Sequence, residues 1–263
     1  MTEALSVLAG GLLAVSFVIQ SINCFRQNAP YSKLSPWLAL GSALLLLVSI
    51  VLRSIEISYI ALTGTFEALI FFAAIIAALV GAYGLQTRLP KSKDIGLAVT
   101  LVAIVIVVVA NTSLSAKQAL APIPALRSSW LVLHVSLAFI GEAFFAISFV
   151  AAILTLLTKD AKKQLAHEEL TYRCIAIGYP FFTVGALIFG SIWAQTAWGR
   201  WWGWDPKETW ALVTWIIYTV YLHLRLMGKK VGRKTAIVAA AGFLLAMFTL
   251  LAVNYLMDGL HSY

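Results

Sequence analysis

Apolar stretches of about twenty residues recur along the whole of this 263-residue chain, separated by short polar segments. A helix rises ~1.5 Å per residue, so about 20 apolar residues cross the ~30 Å hydrocarbon core of a bilayer. Eight stretches come near that length, at roughly 4–24, 36–53, 66–86, 95–111, 130–157, 176–196, 208–226 and 235–256. The pattern predicts an all-α, polytopic membrane protein with about eight transmembrane helices. The fifth stretch is longer than a span requires, which predicts tilt or protrusion. No lysine or arginine precedes the first, so it reads as a retained helix and not as a secretory signal. With no internal repeat or low-complexity tract, 1–263 reads as one integral membrane domain, with four N-terminal spans in 1–129 and four more in 130–263.

Composition strengthens this picture. The chain is 61% hydrophobic and 11% charged, where a soluble domain carries about 25% charge. Its net charge of +8 therefore bears on orientation. No stretch combines a basic face with interleaved aromatics, which argues against a nucleic-acid partner. The loops after the first, third, fifth and seventh spans carry 14 lysines and arginines; the opposite side carries 5: Arg53, Lys117, Arg127, Arg200 and Lys207. The basic excess places the odd-numbered loops in the cytoplasm and both termini on the outer side. Cys24 and Cys174, the only two cysteines, then fall near cytoplasmic helix ends. They form no CxxC or zinc pattern and read as structural.

One polar segment has unusual chemistry. WGRWWGWDPKETW, residues 198–210, holds five tryptophans, two acids and two bases. Asp205-Pro206-Lys207-Glu208 has an N-cap acid, a proline at the first helical position and an acid at the third, which predicts a capping box opening the seventh span. The N–H groups of that helix start suit an anion. Trp193, Trp198, Trp201, Trp202, Trp204, Trp210 and Trp215 are seven of the chain's nine tryptophans. They read either as an interfacial belt or as a stacking platform for a flat ligand, whose acidic groups Arg200 and Lys207 would take.

Four histidines complete the inventory. His134, one turn into the fifth span, and His261, near the C-terminus, fall on the same outward side as the tryptophans. They read as two axial ligands of a haem iron, or as an interfacial hydrogen-bonder and a tail residue. His223, toward the cytoplasmic end of the seventh span, is an inner-site ligand or an ordinary interfacial histidine. His167, in the charged segment KDAKKQLAHEEL, reads as solvated and passive. Glu142, two turns below His134, is a functional candidate because an acid at that depth is costly; pairing with a polar group is the alternative. Glu67 starts the third span, where it either lines the same site or is solvated.

WGRWWGWDPKETWALVTW, residues 198–215, resembles the tryptophan-rich "WWD" signature of haem-handling membrane proteins. The continuation through YTVYLHLR and the ending NYLMDGLHSY are similar to the CcsA (ResC) branch of system II cytochrome c biogenesis. DPKETW separates this branch from the CcmC and CcmF relatives. The likeness is specific from about residue 130 onward, with a weak echo at FEALIF, residues 66–71. It implies that 130–263 is a haem-handling core, with haem b as its ligand. His134 and His261 would be the axial ligands of an outer site. Trp198, Trp201, Trp202, Trp204 and Asp205 would form the haem platform, and His223 would belong to an inner transmembrane site. It implies holocytochrome c synthase (haem lyase) activity with a CcsB (ResB) partner subunit, apocytochrome c as the acceptor at its CxxCH segment, and a separate thioredoxin-like thiol reductant. The membrane would be a bacterial plasma membrane or a thylakoid. Two other readings are a HemX-like haem-binding regulator without synthase activity and a transporter of another planar, acidic small molecule.

Overall fold

The computed structural model describes residues 2–25, 33–86, 93–112, 123–228 and 232–257, and no strand occurs among them. The chain divides into two compact units, Met1–Arg127 and Ser128–Tyr263.

The first unit contains α1 (Thr2–Phe25), α2 (Leu34–Glu56), α3 (Thr65–Leu85), α4 (Lys93–Ala110) and a short 3-10 turn at Pro124–Leu126. Lipid tails are as apolar as leucine, so helices in a bilayer associate through close packing of small residues and through interhelical hydrogen bonds. Both are present. The Ser42 hydroxyl donates to the Ala9 carbonyl at 2.9 Å, and the Gln20 amide donates to Thr100 Oγ1 at 2.9 Å. Gly81 lets α3 close on α2, since a Cβ there would lie 2.9 Å from the Pro36 carbonyl oxygen. Arg53, at the end of α2, is 2% exposed and Glu67, at the start of α3, is 6% exposed. The two form an ion pair, so Glu67 is not solvated.

The second unit contains α5 (Ser129–Leu157), close to the expected fifth span. It is followed by one continuous rod: α6 (Ala161–Phe182), a π-helical segment Thr183–Phe189, and α7 (Gly190–Trp198). α8 (Pro206–Leu226) follows, then α9 (Arg233–Met247), a second π-helical segment Phe248–Ala252, and α10 (Val253–Leu256). α5 and α6 run antiparallel and nearly touch at Gly141 and Gly178. A Cβ on Gly178 would come 2.7 Å from the Gly141 carbonyl oxygen. Among the described residues, seven helical stretches are long and apolar enough to cross a membrane: α1 to α5, the rod 161–198, and 233–252. The expected seventh span is also a helix, the 21-residue α8, but its charged and polar residues keep it below that measure.

The rod corrects the expectation for residues 159–175. The charged segment is helix, not loop. Asp160 caps it, its carboxylate accepting from the N–H groups of Lys162 at 2.9 Å and Lys163 at 3.2 Å. From there His167, Thr171, Cys174, Gly178 and Phe182 follow at helical spacing on one buried face. His167, expected in solvent, is 1% exposed. Helical periodicity persists below the point where hydropathy falls, and hydropathy alone missed it.

Candidate functional site

The tryptophan loop links α7 to α8. Gly199 closes α7 in the left-handed conformation at φ 73°, its N–H bonded to the Gln195 carbonyl. At the other end the expected capping box is present. The Asp205 carboxylate accepts from the Lys207 N–H at 3.1 Å. Glu208 Oε2 accepts from the Asp205 N–H at 3.2 Å and also from the Gly203 N–H at 2.8 Å. The two bonds on Glu208 flank Trp204, whose φ is +55°. That conformation is strained for a bulky residue, costing on the order of 1–3 kcal/mol, and persists only where the surroundings impose it. Glu208 accepts from the N–H groups of the residues before and after Trp204, which constrains the loop around it. The result is an indole 71% exposed, with Trp201 also 59% exposed. Trp202 supports Trp204 edge-on, their ring centres 5.9 Å apart. The Arg200 guanidinium folds over Gly203, where a Cβ would lie 2.8 Å from Nε.

His134 lies against the rod on the side of α5. Its Nδ1 is 2.9 Å from the Gly185 carbonyl oxygen. A carbonyl only accepts, so Nδ1 carries the proton and Nε2 the lone pair of the neutral ring. The imidazole is nearly parallel to buried Trp193 (centroids 6.1 Å apart, 10° between planes), and Trp193 meets Trp198 edge-on at 4.7 Å. Through Trp193, the structure joins His134 to the first tryptophan of the signature. Such a nitrogen, oriented by a hydrogen bond on the far side of the ring, suits an iron ligand, and the exposed indoles suit a flat macrocycle.

Other expected site residues lie elsewhere. His261 is outside the described residues. His223 is exposed and sits about 25 Å along α8 from Pro206, so it does not join His134. Glu142 is 8% exposed, its Oε2 has no hydrogen-bond partner, and it interacts electrostatically with Lys207 and Tyr218. Lys207 thus has Asp205 and Glu142 as acidic neighbours. Cys24 and Cys174 are both free thiols. Sequence reasoning missed Gly185, Gly190 and the second bond of Glu208. It counted Trp193 among the tryptophans without giving it a role. The glycine pair five residues apart inside an apolar helix was the one readable signal.

A helical membrane protein with an oriented histidine beside a rigid, solvent-facing tryptophan loop is the class that fold and site define. The comparisons narrow it. A family model described as Cytochrome C assembly protein matches residues 34–261. The cytochrome c biogenesis protein CcsA of Chlamydomonas reinhardtii is 36% identical over 96% of this chain and 72% of that protein. The CcsA of Trieres chinensis is 32% identical over 98% of this chain and 96% of its own length. The chain belongs to the cytochrome c assembly family, among its CcsA proteins. The match starts at residue 34, so it extends well into the N-terminal spans, where the sequence alone offered only the FEALIF echo. A solved structure described as Cytochrome c Heme Lyase CcmF shares the fold, with a TM-score of 0.65 at 17% identity over 95% of this chain and 46% of that one.

Proposed function

We propose that this chain carries haem b across the membrane and, with a CcsB (ResB)-type subunit, attaches it covalently to apocytochrome c. The observation that carries this reading is His134: its Nδ1–H is tied to the Gly185 carbonyl and its ring stands beside the Trp193–Trp198 wall. His134 and His261 serve as axial ligands on the outer side, the side that the distribution of basic residues assigns to the loop. Trp198, Trp201, Trp202 and Trp204 form the floor, Asp205 and Glu208 set its shape, and Arg200 and Lys207 take the propionates. His223, exposed on α8, faces the partner subunit at an inner site. Haem supplies two vinyl groups, and each cysteine thiol of a CxxCH segment adds across one: sulfur bonds to the inner vinyl carbon and hydrogen goes to the terminal one. The addition needs no net oxidant, and much of the protein's contribution is positioning. The cysteines of the acceptor must arrive reduced. Neither thiol here belongs to a dithiol motif, so a separate thioredoxin-like reductant does that work. The membrane is a bacterial plasma membrane or a thylakoid.

The test is the absorbance spectrum of the purified chain with its partner, reduced and oxidised, in wild type, His134→Ala, His261→Ala and the double variant. Sharp low-spin bands that weaken in each single variant are expected. Bands indifferent to both substitutions would overturn the outer-site assignment.

A further inference from the structure

We propose that the π-helical segment Thr183–Phe189, through Gly185 and Gly190, is the positioning device for His134. It selects the ring tautomer and holds Nε2 out as the ligating nitrogen. The inference rests on the haem reading above, but it concerns how the ligand is made ready.

Three features of the rod converge on one imidazole. First, the π turn changes what the Gly185 carbonyl does. In an α-helix a carbonyl bonds the N–H four residues on. Here the Gly190 N–H reaches the Gly185 carbonyl, five residues back, and that oxygen also accepts Nδ1–H of His134 at 2.9 Å. Second, Gly185 brings the rod close enough for this bond. A Cβ there would strike the Ala138 backbone nitrogen and would lie 2.7 Å from the Leu137 carbonyl carbon, so α5 approaches at backbone contact. Third, the ring fills the space a side chain at 190 would take. A Cβ on Gly190 would lie 3.1 Å from Nδ1 and 3.2 Å from Cε1 of His134, and the next nearest atom is 3.9 Å away. Trp193, one turn further, stacks nearly parallel to the same ring. Hydrogen bond, glycine and indole thus constrain the imidazole together.

The sequence explains why the helix widens here. Pro180 sits inside α6 and offers no N–H to the turn before it. Glycines at 185 and 190 tolerate altered backbone geometry. Single π turns inside α-helices occur frequently at functional sites. A metal-binding histidine commonly donates its other N–H to a carbonyl, which fixes the tautomer and raises ligand basicity. Loss of such a partner typically costs about 10–100-fold in metal affinity. Gly185 and Gly190 are therefore positioning residues, not ligands.

The experiment uses the full chain with its partner subunit and two readouts. The first needs no haem. In haem-free protein with this chain alone labelled with 15N-histidine and joined to unlabelled partner, only four histidines contribute, and loss of a signal in His134→Gln assigns His134. Wild type is expected to show the Nδ1–H tautomer, and Gly190→Ala a mixture. The second is haem affinity followed by absorbance. Gly190→Ala is expected to lose about tenfold or more, and the Gly190→Ala/His134→Ala double variant to bind no more weakly than His134→Ala. Gly190→Ala is chosen because its added methyl presses on the imidazole, whereas Gly185→Ala strikes the α5 backbone and endangers folding. Gly11→Ala, where the methyl meets open space, controls for expression and should match wild type. An Nε2–H tautomer in wild type, or wild-type affinity in Gly190→Ala, would overturn the inference while leaving the haem reading intact. A haem spectrum indifferent to His134→Ala would remove the outer-site assignment and the ligand role with it, whatever the tautomer.

Discussion

Both units bury glutamate, one in the first and two in the second, and they treat it in opposite ways. In Met1–Arg127, Glu67 is ion-paired with Arg53, whose guanidinium also lies 4.8 Å from the Phe66 ring centre. In Ser128–Tyr263, Glu142 keeps an oxygen with no hydrogen bond, as do Glu168 and Thr214. The four long helices of the first unit are unbroken α, while the rod and α9 of the second pass through π turns. Among the described residues two non-glycine positions have positive φ, Ser58 in the first unit and the bulkier Trp204 in the second. A buried carboxyl oxygen without a hydrogen bond and a bulky residue at positive φ both cost stability, and both occur in the unit that carries the signature.

That contrast predicts a graded set of responses. Arg53→Ala should have the largest effect, because it strands Glu67 as an uncompensated charge. The expected loss is about 3–5 kcal/mol, read as a collapse of yield and of thermal stability in detergent. Exchanging both Arg53 and Glu67 for apolar residues should cost far less; an equal loss would mean that the pair's charges are not the cause. Glu208→Ala comes next, at about 0.5–2 kcal/mol for the lost cap. Because Trp204 is then released from φ +55°, tryptophan emission should shift and the haem bands weaken, with Glu208→Gln in between. A stability change without a spectral one would separate the cap from the platform. Glu142→Gln should be smallest in stability, within about 1 kcal/mol, since Oε2 has no hydrogen bond to lose. If it destabilised the chain as much as Glu67→Gln, the proposed division between the two acids would fail.

Much of the fold was legible because a bilayer imposes length and hydropathy on the chain. α5 and α8 lie within a few residues of their expected bounds, and the capping box at Asp205 follows from local chemistry. The lower half of the rod was not legible by the same signal. Lysine and glutamate dilute hydropathy over 159–173, while the helical face that buries His167 continues beneath them. Within the site, residue type pointed to His134 and the tryptophans. It did not reveal the oxygen of Gly185, because a backbone carbonyl has no letter in the sequence and a π turn leaves the hydropathy pattern unchanged. Nor did it show that Glu208 reaches past its own cap to Gly203, which depends on the path of the loop.

The continuous rod of 38 residues is about 57 Å long at helical rise, nearly twice the hydrocarbon thickness. It therefore acts as a shaft with one off-register turn in its middle. Each residue in an α-helix is offset by about 100° around the axis. If the π turn absorbed its extra residue into α register, everything beyond Gly190 would swing by that angle relative to the end that holds His167. Trp193 would leave the face of His134, and Trp198 would carry the start of the loop round with it. A one-residue change of pitch at Gly185 is thus geared to a quarter-turn of the aromatic floor.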